Sequence, residues 1–147
     1  MRQQQLAKLD LALRDDALPF VPAAVPAGWL GAIVFALALA LFAWAIATMR
    51  GAGSSVQTSE PTTTIVDTGP YRFTRNPIYL AMLLGLIGLA IALNSLWLLL
   101  TLVPFALVIR YGVVAREEAY LERKFGDAYR RYCVRVRRWL QCFPPRW

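Results

Sequence analysis

Two stretches without a charged residue constrain this chain more than anything else in it. No Asp, Glu, Lys or Arg stands between Ala27 and Met49, and none between Ile78 and Ile109. A helix needs roughly 20 apolar residues to cross ~30 Å of bilayer hydrocarbon, so the first stretch is one crossing long. The second is too long for one crossing and slightly short for two. Asn94-Ser95 sits in its middle with apolar residues on both sides, which predicts a tight helical hairpin with arms near 77–93 and 96–115. The uncharged part of the first arm, Ile78 to Leu93, would be only ~24 Å long at ~1.5 Å per residue. It must thin the bilayer, take in residues near Pro77, or stop short of the far surface. The balance of 58% hydrophobic to 17% charged residues agrees with an integral membrane chain rather than a soluble domain. The expected fold is therefore all-α, with three transmembrane helices: one single span plus the hairpin.

Residues Gln3 to Leu18 carry Leu6, Leu9, Leu13 and Ala17 at helical spacing, with Lys8, Asp15 and Asp16 elsewhere on the wheel. That pattern predicts an amphipathic helix lying on the membrane surface. Pro19, Pro22 and Pro26 separate it from the first span. A cleaved signal peptide is disfavoured, because the apolar run begins only after Asp10, Asp15, Asp16 and the three prolines. The chain thus divides, within a single domain over 1–147, into an amphipathic segment 1–25, a first span 27–49, a loop 50–76, a hairpin 77–115 and a basic tail 116–147.

Lys and Arg beside membrane helices are retained in the cytoplasm. Arg50, Arg72 and Arg75 lie between the first span and the hairpin, and ten of the sixteen basic residues follow from Arg110 onward. Three crossings put both regions on one side, so the carboxyl terminus is expected in the cytoplasm and the protein in the plasma membrane, the inner membrane of a bacterium. The net charge of +7 raises a nucleic-acid reading. Arg130, Arg131, Arg135, Arg137 and Arg138 are next to membrane helices, however, and an anionic lipid surface attracts each by ~1 kcal/mol. Membrane lipids are the simpler partner, and no nucleic acid is expected. Cys133 and Cys142 have no second pair and the chain has no His, which argues against a disulfide scaffold or a zinc site and excludes a Ser-His or Cys-His nucleophile.

The remaining chemistry lies in two segments. After a connector from Gly51 to Asp67 rich in Ser, Thr and Gly, the run Asp67 to Tyr79 packs two arginines, two tyrosines, Phe73, Asn76 and two prolines immediately before the hairpin. Pro77 suits a first helical turn and Asn76 its cap. The second segment, Arg110 to Tyr132, continues the last membrane helix into water. It carries adjacent carboxylates, Glu117 and Glu118, and an apolar stripe of Leu121, Phe125, Tyr129, Tyr132 and Val136 that predicts packing back onto something. Taken alone, the first segment is better explained by interfacial anchors and a helix start, and the second by a solvated helix end. Joined, Arg75 at the start of one hairpin arm and Glu117-Glu118 past the end of the other form one polar cluster at one membrane face.

These residues resemble the isoprenylcysteine carboxyl methyltransferases and the related phospholipid N-methyltransferases. The resemblance rests on Gly69-Pro70-Tyr71-Arg72, Arg75-Asn76-Pro77-Ile78-Tyr79, Glu117-Glu118 and Phe125-Gly126-Asp127-Ala128-Tyr129-Arg130-Arg131-Tyr132, in that order around a hydrophobic hairpin. It implies methyl transfer from S-adenosylmethionine to a lipophilic or small-molecule acceptor, in a membrane fold distinct from soluble Rossmann methyltransferases. The family's cofactor contacts, carried over, fall on Tyr71, Arg75, Asn76, Pro77, Tyr79, Glu117 and Glu118, with Arg75 and Asn76 in catalytic positions. Asn76 stands where the family motif commonly has His, and an amide cannot titrate. Two other readings stay open: a non-catalytic membrane protein whose basic tail binds anionic lipid or a partner, and a relative of the membrane sterol reductases.

Overall fold

The computed structural model describes residues 21–22, 26–53 and 64–140, and the amphipathic helix expected from Gln3 to Leu18 lies outside them. Every regular element among the described residues is helical. Helix α1 is Ala27–Gly51, a short 3-10 turn covers Gly69–Arg72, α2 is Pro77–Ala92 and α3 is Leu96–Leu107. A π-helical stretch, Val108–Val114, leads without a break into α4, Ala115–Phe125, and α5 is Asp127–Arg135. Two continuous helices, Ala27–Gly51 and Leu96–Phe125, are long and apolar enough to cross a membrane, while α2 is shorter. Trp29, Leu37, Val103 and Val108 point outward, as lipid-facing side chains do.

Helices α1 and α2 run antiparallel with their backbones in contact. Their shared seam is made of small residues: Gly31, Ala38 and Ala45 on one side, Ala81, Gly85, Gly88 and Ala92 on the other. A methyl group on Gly31 would fall 2.1 Å from the Ala92 nitrogen, and one on Gly88 would fall 2.6 Å from the Phe35 nitrogen. Lipid tails give helices no hydrophobic drive to associate, so such close approach and the dispersion contacts it permits take over that role. The small residues of α2 are thus paired with α1.

The hairpin turn is made by two residues. Asn94 adopts φ +47°, a left-handed conformation that Asn tolerates better than most residues. Its amide hydrogen-bonds the Ile91 carbonyl at 3.0 Å and the Ser95 amide bonds the Ala90 carbonyl at 2.9 Å, a Schellman closure of α2. The Ser95 hydroxyl then accepts from the Leu98 amide at 3.3 Å and caps α3. The Asn94 side chain also grips the segment before α1, accepting from the Val21 amide at 2.9 Å and donating to the Val21 carbonyl at 3.3 Å.

Two expectations are corrected. The region after the last membrane helix is not one helix but two, because Gly126 (φ +52°, ψ −123°) breaks α4 from α5 in a conformation that only Gly adopts readily. The apolar stripe survives the break: Tyr129, Tyr132 and Val136 are buried against Ile65, Leu121 and Phe125. Asn76 occupies the cap position of α2, but its side chain makes no capping bond and donates elsewhere.

Candidate active site

The two motif segments meet where the first span ends, the hairpin begins and the last helix leaves its apolar stretch. Arg75 Nη1 lies 3.1 Å from Glu118 Oε1, with both side chains largely withdrawn from solvent. Arg138 closes on the same carboxylate with two prongs, Nε to Oε1 at 2.9 Å and Nη2 to Oε2. Glu118 is therefore held between two guanidiniums, the arrangement that makes a desolvated carboxylate tolerable. The Arg138 carbonyl accepts from Thr74 Oγ1 at 3.1 Å and Asn76 Nδ2 at 2.9 Å, and the Arg137 carbonyl accepts from the Arg75 amide at 3.0 Å. The strand-like tail after α5 is thus stitched to the loop before α2.

Glu117 points differently. One oxygen, Oε2, accepts from the Tyr79 hydroxyl at 3.1 Å, and the residue lines a small, partly open cavity of about 50 Å³. Met49, Val66, Tyr71, Arg75, Tyr129 and Tyr132 share that wall. Tyr71 donates to Met49 Sδ at 3.4 Å, and burial first and the Glu117 carboxylate second push its phenol above the ordinary value. Tyr132 donates to the Tyr71 carbonyl at 2.9 Å, and burial raises its pKa as well, so it remains a donor. Arg75 Nε is buried with no hydrogen-bond partner among the described residues. A buried unpaired donor beside a cavity is costly, and marks a place where a ligand acceptor would be stabilised.

Of the residues expected from the sequence, Tyr71, Arg75 and Glu117 line the cavity, Tyr79 holds Glu117, and Glu118 holds Arg75. Asn76 and Pro77 are buried at the start of α2, where Asn76 faces the tail rather than the cavity. Missed by sequence reasoning were Arg138, expected on lipid headgroups but bound to Glu118, and the cavity residues Met49 and Val66. Arg130 and Arg135, expected to meet anionic lipid, carry exposed ion pairs with Glu122 and Asp127 and with Asp67. Tyr129 and Tyr132 were legible in the Phe-Gly-x-x-Tyr-x-x-Tyr spacing. Nothing distinguished Arg138 from its basic neighbours.

A family profile described as phospholipid methyltransferase matches residues 26–128, a stretch that holds α1 to α4 and both carboxylates. The chain belongs to the phospholipid methyltransferase family, and is a membrane protein of methyltransferase type. An uncharacterized protein of Haemophilus influenzae is 49% identical over 63 residues, 43% of this chain and the whole of that relative. No solved structure matches the chain.

Proposed function

We propose that this protein transfers a methyl group from S-adenosylmethionine to a lipophilic acceptor at the cytoplasmic membrane face, with three membrane crossings. What supports the reading, beyond the family, is one juxtaposition: Arg75, whose buried Nε has no hydrogen-bond partner among the described residues, and Glu117, with one oxygen on Tyr79, line one cavity from motifs far apart in sequence. Together these are a donor for a carboxylate and an acceptor for an ammonium, which is the donor set an amino-acid end requires. The bound cofactor would supply an electrophilic methyl on its sulfonium. Arg75 would hold the methionyl carboxylate, Glu117 the ammonium, and the Tyr71 ring would lie beside the positive sulfur. Glu118 and Arg138 would fix the Arg75 guanidinium in place. Asn76 would serve by joining the loop to the tail. An acceptor that is already anionic then needs no base from this loop, since catalysis is alignment of nucleophile, methyl and sulfur.

The test is calorimetric titration of the purified protein with S-adenosylmethionine. Glu117→Gln should weaken binding about tenfold while the melting temperature stays at the parent value, since the partner of a charged hydrogen bond is removed. Unchanged affinity would take Glu117 out of the site. The lipid-binding alternative keeps one observation in its favour: Arg131 and Arg137 have no ion pair among the described residues. Binding to anionic vesicles with indifference to the cofactor would decide for it.

A further inference from the structure

Beside the small cavity lies a second, wider groove of about 660 Å³, walled by Ile65, Asp67, Ala128, Arg131, Tyr132 and Arg135 among others. Ile65 and Tyr132 line both spaces, so the two adjoin at that pair of residues. Their sizes are complementary. Small-molecule sites measure roughly 300–1,000 Å³. The groove is within that range, and the inner cavity of about 50 Å³ has room only for a small charged end. A ligand with an amino-acid end and a nucleoside end requires such a two-part site.

The chemistry of the groove fits the second end. Asp67 is the one carboxylate among its lining residues; its Oδ2 accepts from Arg135 Nη2 at 3.2 Å, and Oδ1 has no hydrogen bond among the described residues. A carboxylate with an available oxygen is the usual acceptor for vicinal ribose hydroxyls. Ile65, Ala128 and Tyr132 give an apolar floor, and the Arg131 guanidinium, with no ion pair among the described residues, can stack on a purine face. A phosphate headgroup is the poorer fit, because Asp67 already neutralises Arg135 and would repel an anion.

Resting on the function proposed above, we infer that the open groove binds the nucleoside half of the cofactor, with Asp67 accepting from the ribose hydroxyls. Arg75 and Glu117 hold the other half in the adjoining cavity, beyond Ile65 and Tyr132.

Calorimetry on the full chain with S-adenosylhomocysteine and with 5′-methylthioadenosine, which lacks the amino-acid end, tests this. Asp67→Asn should weaken both ligands about tenfold. Glu117→Gln should weaken the first and leave the second unchanged. Arg135→Gln separates a ligand contact from the ion pair: it frees the Asp67 carboxylate, so affinity should hold or rise. S-adenosylhomocysteine affinity within twofold of the parent in Asp67→Asn would overturn the placement, as would an equal loss in Arg135→Gln. A parent that binds neither compound sinks the methyltransferase reading itself, whereas a parent that binds both and ignores Asp67 sinks only the groove.

Discussion

The apolar pair α1 and α2 and the polar lobe of α4 and α5 solve opposite problems. In the pair, Gly31 and Gly88 bring two backbones together, and shape alone determines the fit. In the lobe, Glu118, Arg75 and Arg138 form a two-sided ion pair and Tyr132 reaches the Tyr71 carbonyl, so charge and hydrogen bonds determine it. The difference teaches where change is tolerated. A seam of touching backbones has no slack for an added atom, whereas a network of long side chains can relax but cannot lose a charge. The candidate site lies at the junction of the two, with Met49 at the end of the first and Glu117 at the start of the second.

The sharpest way to break this comparison is to add bulk to the seam. Gly31→Val should cost on the order of 3 kcal/mol or more, since the clash is with backbone atoms that no rotamer avoids. Gly85→Ala should be nearly neutral, because a methyl there meets Ala38 and Phe35 at an ordinary 3.8 Å. Thermal melts of both variants in detergent check the pair; equal losses would mean that helix propensity rather than contact governs the seam.

The next effect belongs to the lobe. Glu118→Ala strands Arg75 and Arg138 together and should cost on the order of 2 kcal/mol, below the figure for a fully buried pair because Arg138 is about a third exposed. Cofactor affinity should fall with it, as the guanidinium loses its hold. A stable Glu118→Ala protein with parent affinity would show that the lobe, too, is held by shape.

Smaller is the effect of Gly126→Ala, about 1 to 1.5 kcal/mol, at the low end for one residue in a disfavoured backbone region. No atom lies within 4 Å of the added methyl, so the whole cost is the backbone conformation. Urea unfolding that matched the parent would place the α4–α5 break elsewhere. Smallest is Tyr132→Phe, about 1 kcal/mol for the bond to Tyr71. The folded state holds this phenol protonated above its ordinary pKa of about 10, mainly through burial. Its contribution is therefore complete below pH 10 and is lost as pH rises beyond it. The parent's margin over Tyr132→Phe in melting temperature should shrink between pH 9 and 11; a constant margin would remove the phenol from the linkage.

Helix positions were largely legible, because charge-free length and the Asn94-Ser95 turn are local signals. The meeting of Arg75 with Glu118 was legible too, since a hairpin between them returns the chain to the same face. The break at Gly126 was not: the stripe of Leu121, Phe125, Tyr129 and Tyr132 keeps helical spacing across it, so periodicity conceals a change of direction. Nor was the role of Arg138, because the partner of a surface-coded Arg is decided by how α5 docks, a long-range matter. Asn76 as a cap failed for the same reason, its amide being drawn to a carbonyl 62 residues away.

Asn94 illustrates how one position becomes resistant to substitution. It accepts a left-handed backbone, presents an acceptor to the Val21 amide and presents a donor to the Val21 carbonyl. Gly would satisfy the first demand only, Asp the first two, and Gln the last two at the wrong reach. No single alternative among the twenty meets all three, so a sequence drifting under selection for this hairpin has no neutral neighbour to step to at residue 94.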